Sequence, residues 1–247
     1  MLVRVNLVDI NPKMVKAWQE TFEENPEVDV VHGSKLEQMC SAWVSPTNSK
    51  GSMDGGLDAV IKKFLGGKIE ARLQRTIKEL HGGTLPVGHA VCVPTDEPNP
   101  RYLISTPTMV SSSEDISDTM NVVLAAAAAF QAIHMQNEKL PGSIRSVALP
   151  GLGAATGQTP VDICADLMWT AYNLFRDAAF RDFKAMRAAL EAELGNLGPT
   201  TKKGEAKKKV PFDASVASAP APLPPEEADE DEDSGEDVDF DDSEDEA

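Results

Sequence analysis

The chain is poor in cysteine, poor in aromatic residues and free of long apolar runs, and each shortage excludes something. Cys40, Cys92 and Cys164 are the three cysteines; they lie far apart and match no metal or redox spacing. So few thiols, in odd number, suit a reducing compartment better than a disulfide-stapled secreted fold, and all three read as buried small apolar side chains. No stretch approaches the ~18 uncharged apolar residues of a membrane span. The N-terminus opens a strand-like run interrupted by Asp9 rather than a signal peptide, so a cytoplasmic protein without membrane contacts is expected. His32, His81, His89 and His134 are scattered without ligand spacing and read as structural or surface residues; neither a metal nor a cofactor is expected.

Basic residues are missing from one region altogether. From Glu226 to Ala247 there are 15 acidic residues and no Lys or Arg. Without that run the formal charge of −17 falls to 25 acidic against 23 basic residues, so the acidity belongs to a tail. A near-neutral remainder gives no electrostatic case for nucleic-acid binding. A lysine cluster (Lys202, Lys203, Lys207, Lys208, Lys209) and an Ala/Pro stretch precede the acidic run. Residues 196–247 are therefore expected to be a disordered linker and tail, whose partner, if any, would be basic.

The first 195 residues alternate between strand and helix patterns. Strands are expected at Leu2–Val8, Val28–Val31, Trp43–Ser45, Gly88–Val93, Tyr102–Thr106 and Ser146–Leu149. Helices are expected from Pro12 to about Phe22, from Gly55, from Lys68 to Leu80 and from Val161 to Phe175. The Ser111–Glu114 spacing fits a capping box opening an Ala-rich helix to about Gln136. A charged helix over Asp177–Leu194 continues the preceding one, with residues 181–195 as an extension of a domain spanning 1–180. The order predicts an α/β fold with a mostly parallel or mixed sheet covered on both faces. Trp18, Trp43 and Trp169 read as core, and Tyr102 and Phe175 as packing residues.

Two loops stand out. Ser45–Asp58 runs from a strand through Asn48 and Gly55-Gly56 into a helix; the glycines admit close backbone approach to a phosphate, and the helix adds its positive end. Asp58 falls in that first turn, where it either serves a bound group or merely complements the helix dipole; Asn48 either contacts a sugar or caps a turn. Pro150-Gly-Leu-Gly-Ala-Ala-Thr-Gly157 repeats strand, glycines, helix, yet is neither the dinucleotide fingerprint nor a P-loop. Together the loops fit a diphosphate held from two sides by backbone amides.

In order and spacing, Val28–Gly33, the Asn48 loop with Gly55-Gly56-Leu57-Asp58, and Ser146–Gly157 resemble the macrodomain family; Pro107-Thr108-Met109 and Pro150–Gly153 resemble its ADP-ribose-1″-phosphate-processing branch. The resemblance implies a three-layer α/β/α fold with ADP-ribose, or a derivative, in a surface cleft. It would place Asn48, Gly55 and Gly56 at the distal ribose and Asp58 as the residue supporting hydrolysis. Gly151, Leu152, Gly153, Ala154, Ala155, Thr156 and Gly157 would wrap the diphosphate, and Asp9, Ile10 and Ser34 would border the adenine. Ser34 stands where the family usually has an adenine-reading Asp, with Asp9 as its candidate substitute. Ser45-Pro46 and Ser52-Met53-Asp54 depart from the hydrolases' Asn-Ala and further glycines, implying a narrower cleft near the distal ribose. Two functions stay open: a hydrolase acting on ADP-ribose derivatives, free or linked to an ADP-ribosylated protein, and a non-catalytic ADP-ribose reader.

Overall fold

In each strand that contributes to the core, alternate side chains enter opposite faces of the sheet. In β1 (Arg4–Asp9) Val5 and Leu7 face one way and Val8 the other; in β3 (Ala42–Ser45) Ala42 and Val44 oppose Trp43; in β6 (Ser146–Leu149) Val147 and Leu149 oppose Ala148. Strands apolar on both faces need cover on both, which is why helices lie to either side. The computed structural model describes residues 3–112, 114–176 and 178–195; the expected linker, lysine cluster and acidic tail lie outside them.

The sheet runs β2-β1-β6-β3-β5-β4, with β2 Val28–His32, β4 Val91–Pro94 and β5 Tyr102–Ser105. All pairings are parallel except β4 with β5, so the sheet is mixed. The thicker core lies between the sheet and α1 (Pro12–Thr21), α4 (Asn121–Lys139), α5 (Val161–Arg176) and α6 (Phe183–Leu194); the thinner one lies under α2 (Gly56–Leu65) and α3 (Lys68–His81). This is the three-layer α/β/α arrangement expected. Asn11 caps α1, its side chain accepting from Lys13 N, and Pro12 takes the first helical position.

Three boundaries differ from the sequence expectation. No helix starts at Ser111: Glu114 Oε2 accepts from Val110 N and Ser111 N at 3.0 and 3.5 Å, closing a loop turn, and α4 begins only at Asn121. The fully buried Ile116, whose N–H donates to Gly157 O, holds that loop out of helical form. β4 starts at Val91, because Gly88 (φ +87°) and the His89 N to Pro86 O bond make a turn first. α5 and α6 are separate helices. Asp182 starts α6 by accepting from Ala185 N at 2.8 Å, and Gln131 Nε2 donates to Phe180 O at 2.6 Å in the connection. Met186 and Leu190 of α6 join the thicker core.

Ala125 to Ala129 are wholly buried where α4 meets α5, α6, β4 and β5, and their short side chains let these elements approach. Substituting Ala127 by Leu should cost about 1–3 kcal/mol by overpacking, read as a lowered midpoint of thermal unfolding.

Candidate functional site

The parallel neighbours β1, β6 and β3 deliver three loops to the carboxyl end of the sheet, beginning at Asp9, Pro150 and Ser45. From β1 the chain passes to β2 on one side, whereas β6 and β3 lie on the other. Such a switch in strand order opens a crevice at the carboxyl ends.

Asp9 spans this crevice. Its Oδ1 accepts from Asn11 N at 2.8 Å and its Oδ2 from Gly151 N at 3.1 Å. Ile10 is 75% exposed beside it, with its carbonyl 3.2 Å from His32 Nε2. Ser34 Oγ accepts from Leu36 N at 3.2 Å, capping the short turn Lys35–Glu37. Asp9 and Ser34, both expected near a base, thus already hold backbone amides.

In the second loop, Gly153 (φ +74°) and Gly157 are packed rather than open. A Cβ on Gly157 would come within 2.7 Å of Gly153 O and of Ile116 Cγ1. Gly157 O accepts from Ile116 N and Gly153 O from Thr159 N, which fixes the loop while Ala155 and Thr156 face solvent. None of the six backbone N–H groups from Leu152 to Gly157 donates to a protein acceptor among the described residues. With no acceptor from the protein, these amides are available to water at the exposed Ala155 and Thr156 and to any anionic group that enters the crevice.

In the first loop, Asn48 Oδ1 accepts from Lys50 N and Ser52 N at 3.0 and 3.2 Å, and Asn48 Nδ2 donates to Ser112 Oγ at 3.2 Å. Asn48 therefore organises its own loop, the turn-capping alternative read from the sequence. Met53 N donates to Glu70 Oε1 at 2.7 Å, and Lys62 pairs with both Glu70 and Asp54, which fastens the loop to α3. Gly55 caps α2 without a side chain, and Gly55 and Gly56 have open space around them. That helix end, too, presents bare N–H groups.

Asp58, in the first turn of α2, accepts a hydrogen bond from Ser45 Oγ. Burial pushes its carboxyl up to about 6, against the opposing pull of Ser45 and of Lys35. The sequence reading missed Lys35. It is only 4% exposed and donates to Val44 O, and burial pushes its ammonium down to about 7. A lysine in a polar turn carries no periodic signal of burial, so nothing in the chain marked it. No hydrogen bond joins Asn48 to Asp58 among the described residues, so they meet only through their shared loop.

The remaining candidates lie elsewhere. Tyr102 opens β5 at the far end of the strand, and Phe175 packs against Phe130 and, edge-on, against Phe180. Trp18 and Trp43 are buried, while Trp169 is half-buried and donates to Asn25 Oδ1 at 3.0 Å. No cluster of metal-ligating side chains occurs among the described residues.

The family model for the Macro domain matches residues 44–168. A protein of Aquifex aeolicus, itself uncharacterized, is 30% identical over 142 residues, 58% of this chain and 78% of that one. Among solved structures, the macrodomain of Mycobacterium tuberculosis DarG is 21% identical with a TM-score of 0.49, covering 60% of this chain and 90% of its own. The Oceanobacillus iheyensis macrodomain with ADP is 17% identical with a TM-score of 0.47, covering 66% and 88%.

The glycines of the two loops should respond oppositely to alanine. Gly157→Ala should destabilise by about 1–3 kcal/mol, because backbone and Ile116 must move. Gly55→Ala, with φ −137° and open space, should stay within ~0.5 kcal/mol of the parent. Chemical denaturation of both variants checks the contrast.

Proposed function

The chain belongs to the Macro domain family, and from that premise we propose that the cleft binds ADP-ribose or a derivative and that Asp58 hydrolyses a group from its distal ribose. The observation that carries this reading is the row of unpartnered N–H groups from Leu152 to Gly157. A diphosphate supplies acceptors and negative charge together, and charge-assisted bonds to backbone amides are about twice as strong as neutral ones. The uncapped start of α2 offers further amides at the end of neighbouring β3. Held there, the diphosphate would direct the distal ribose toward Asp58 and the adenosine toward Asp9, Ile10 and Ser34.

Asp58 suits a general base. A carboxyl pushed up to about 6 is ionised at neutral pH, yet more basic than an ordinary aspartate. Its reaction would be attack of an Asp58-activated water on an O-acetyl ester, a 1″-phosphate or a protein-linked ribose. Asn48 serves this by stiffening the loop, Lys50 and Ser52 amides on its oxygen and Ser112 on its nitrogen. The opposing reading, a reader that holds ADP-ribose uncleaved, is favoured by one feature: Ser45 already occupies an Asp58 oxygen.

Calorimetry on the full chain should show ADP-ribose binding well above AMP, because AMP lacks the diphosphate. Since Ser34 and Asp9 are engaged with backbone, GDP-ribose should bind within about tenfold of ADP-ribose, a charge-assisted base contact being worth ~1.5–3 kcal/mol. Absence of ADP-ribose binding would remove the proposal entirely. Asp58→Ala should lower turnover by about 10²–10⁴-fold with affinity retained. Turnover should fall as pH drops through about 6, where Asp58 takes up its proton. Unaltered turnover in Asp58→Ala leaves the reader.

A further inference from the structure

Lys35 is the one buried lysine among the described residues, and nothing in the proposed mechanism yet uses it. Taking an ammonium out of water is unfavourable unless an anion compensates. Its hydrogen-bond acceptor, Val44 O, is a neutral carbonyl that an uncharged donor would satisfy at lower cost, and the ammonium has two donors besides. The charge itself therefore needs an explanation.

Val44 immediately precedes Ser45, and Ser45 Oγ donates to Asp58 Oδ1. Ammonium, carbonyl, hydroxyl and carboxylate thus follow one another through two hydrogen bonds and one peptide unit, at the end of β3 where the cleft begins. The groups acting on Lys35 are Asp58 from α2, Cys40 from the segment before β3 and Asp9 from the end of β1, all raising its proton affinity against burial. Those acting on Asp58 are Ser45 and Lys35, both lowering it against burial.

We propose that Lys35 is the positioning residue of this cleft: its buried ammonium, anchored on the Val44 carbonyl beside the Ser45–Asp58 contact, keeps the Asp58 carboxylate ionised and fixed for its work on the distal ribose. The inference rests on the hydrolytic reading of Asp58. Lys35 touches no substrate atom in this role; it acts through Asp58. Burial raises the Asp58 carboxyl and lowers the Lys35 ammonium, and each charge opposes the shift in the other.

The test follows the Asp58 carboxyl by carbon NMR in the full chain. In Lys35→Met, an apolar side chain of similar length, the Asp58 midpoint should rise, since a nearby cation is lost. An unchanged midpoint overturns the proposal. Should Lys35→Met fail to fold, the near-isosteric Asp58→Asn gives the reciprocal reading: the Lys35 ammonium should then titrate lower than in the parent, and an unchanged midpoint again overturns it. In turnover, the acid limb of the pH profile should move upward in Lys35→Met together with the NMR midpoint. A parental acid limb counts against Lys35. Full turnover in Asp58→Ala instead sinks the hydrolytic reading, and with it the purpose assigned here, while the two titrations still report whether the pair is coupled.

Discussion

The Asp9 carboxylate holds the carboxyl end of β1 to the loop that leaves β6, accepting from Asn11 N on one side and Gly151 N on the other. A charged acceptor shared between two backbone amides is stronger than the neutral bonds around it. It sits where the chain's direction across the sheet reverses, so it fixes both the entry to α1 and the start of the 150–157 loop. Met14 and Asp9 together press on Gly151, where a Cβ would lie 3.0–3.1 Å from both. The glycine is there because the carboxylate is there. The rest of the cleft takes its position from this junction.

The two faces of the sheet divide the labour. Under α1, α4, α5 and α6 the core is apolar and close-packed, with a run of alanines at its centre. The thinner core under α2 and α3 gives onto the charged groups: Lys35, Asp58 and, further out, the Lys62–Glu70 pair. A thin layer brings ionisable side chains near the sheet while leaving one end open to the cleft. Burial then perturbs Lys35 and Asp58 in opposite directions, and each group moderates the other.

Strand and helix patterns carried most of the architecture, because Val, Ile and Leu alternation and glycine punctuation are local consequences of burial. Asn11-Pro12 marked the start of α1 and Gly82 the end of α3. The Ser111–Glu114 spacing misled, since the same local pattern closes a turn when Ile116 is drawn under Gly157. The separation of α5 from α6 was equally invisible, for it depends on Asp182 and on Gln131 from a distant helix. Both candidate loops were legible as loops. What their side chains do was not: Asn48 and Ser34 turn onto nearby amides, a choice open to any Asn or Ser and decided by the fold. Lys35 was hidden because helix and strand periodicity say nothing of a turn residue pointing inward.

The tight seating of Gly153 and Gly157 against Ile116 has a consequence for how an anion is met. That loop is braced at its start by Asp9, in its middle by Thr159 and at its end by Ile116, before any ligand arrives. Under the proposed function, an incoming phosphate would encounter amides carried on a loop already fixed in place, so little of the contact energy would go into ordering the protein. Capture there would then be set by encounter and by shedding of the phosphate's hydration shell, with no loop rearrangement to wait for.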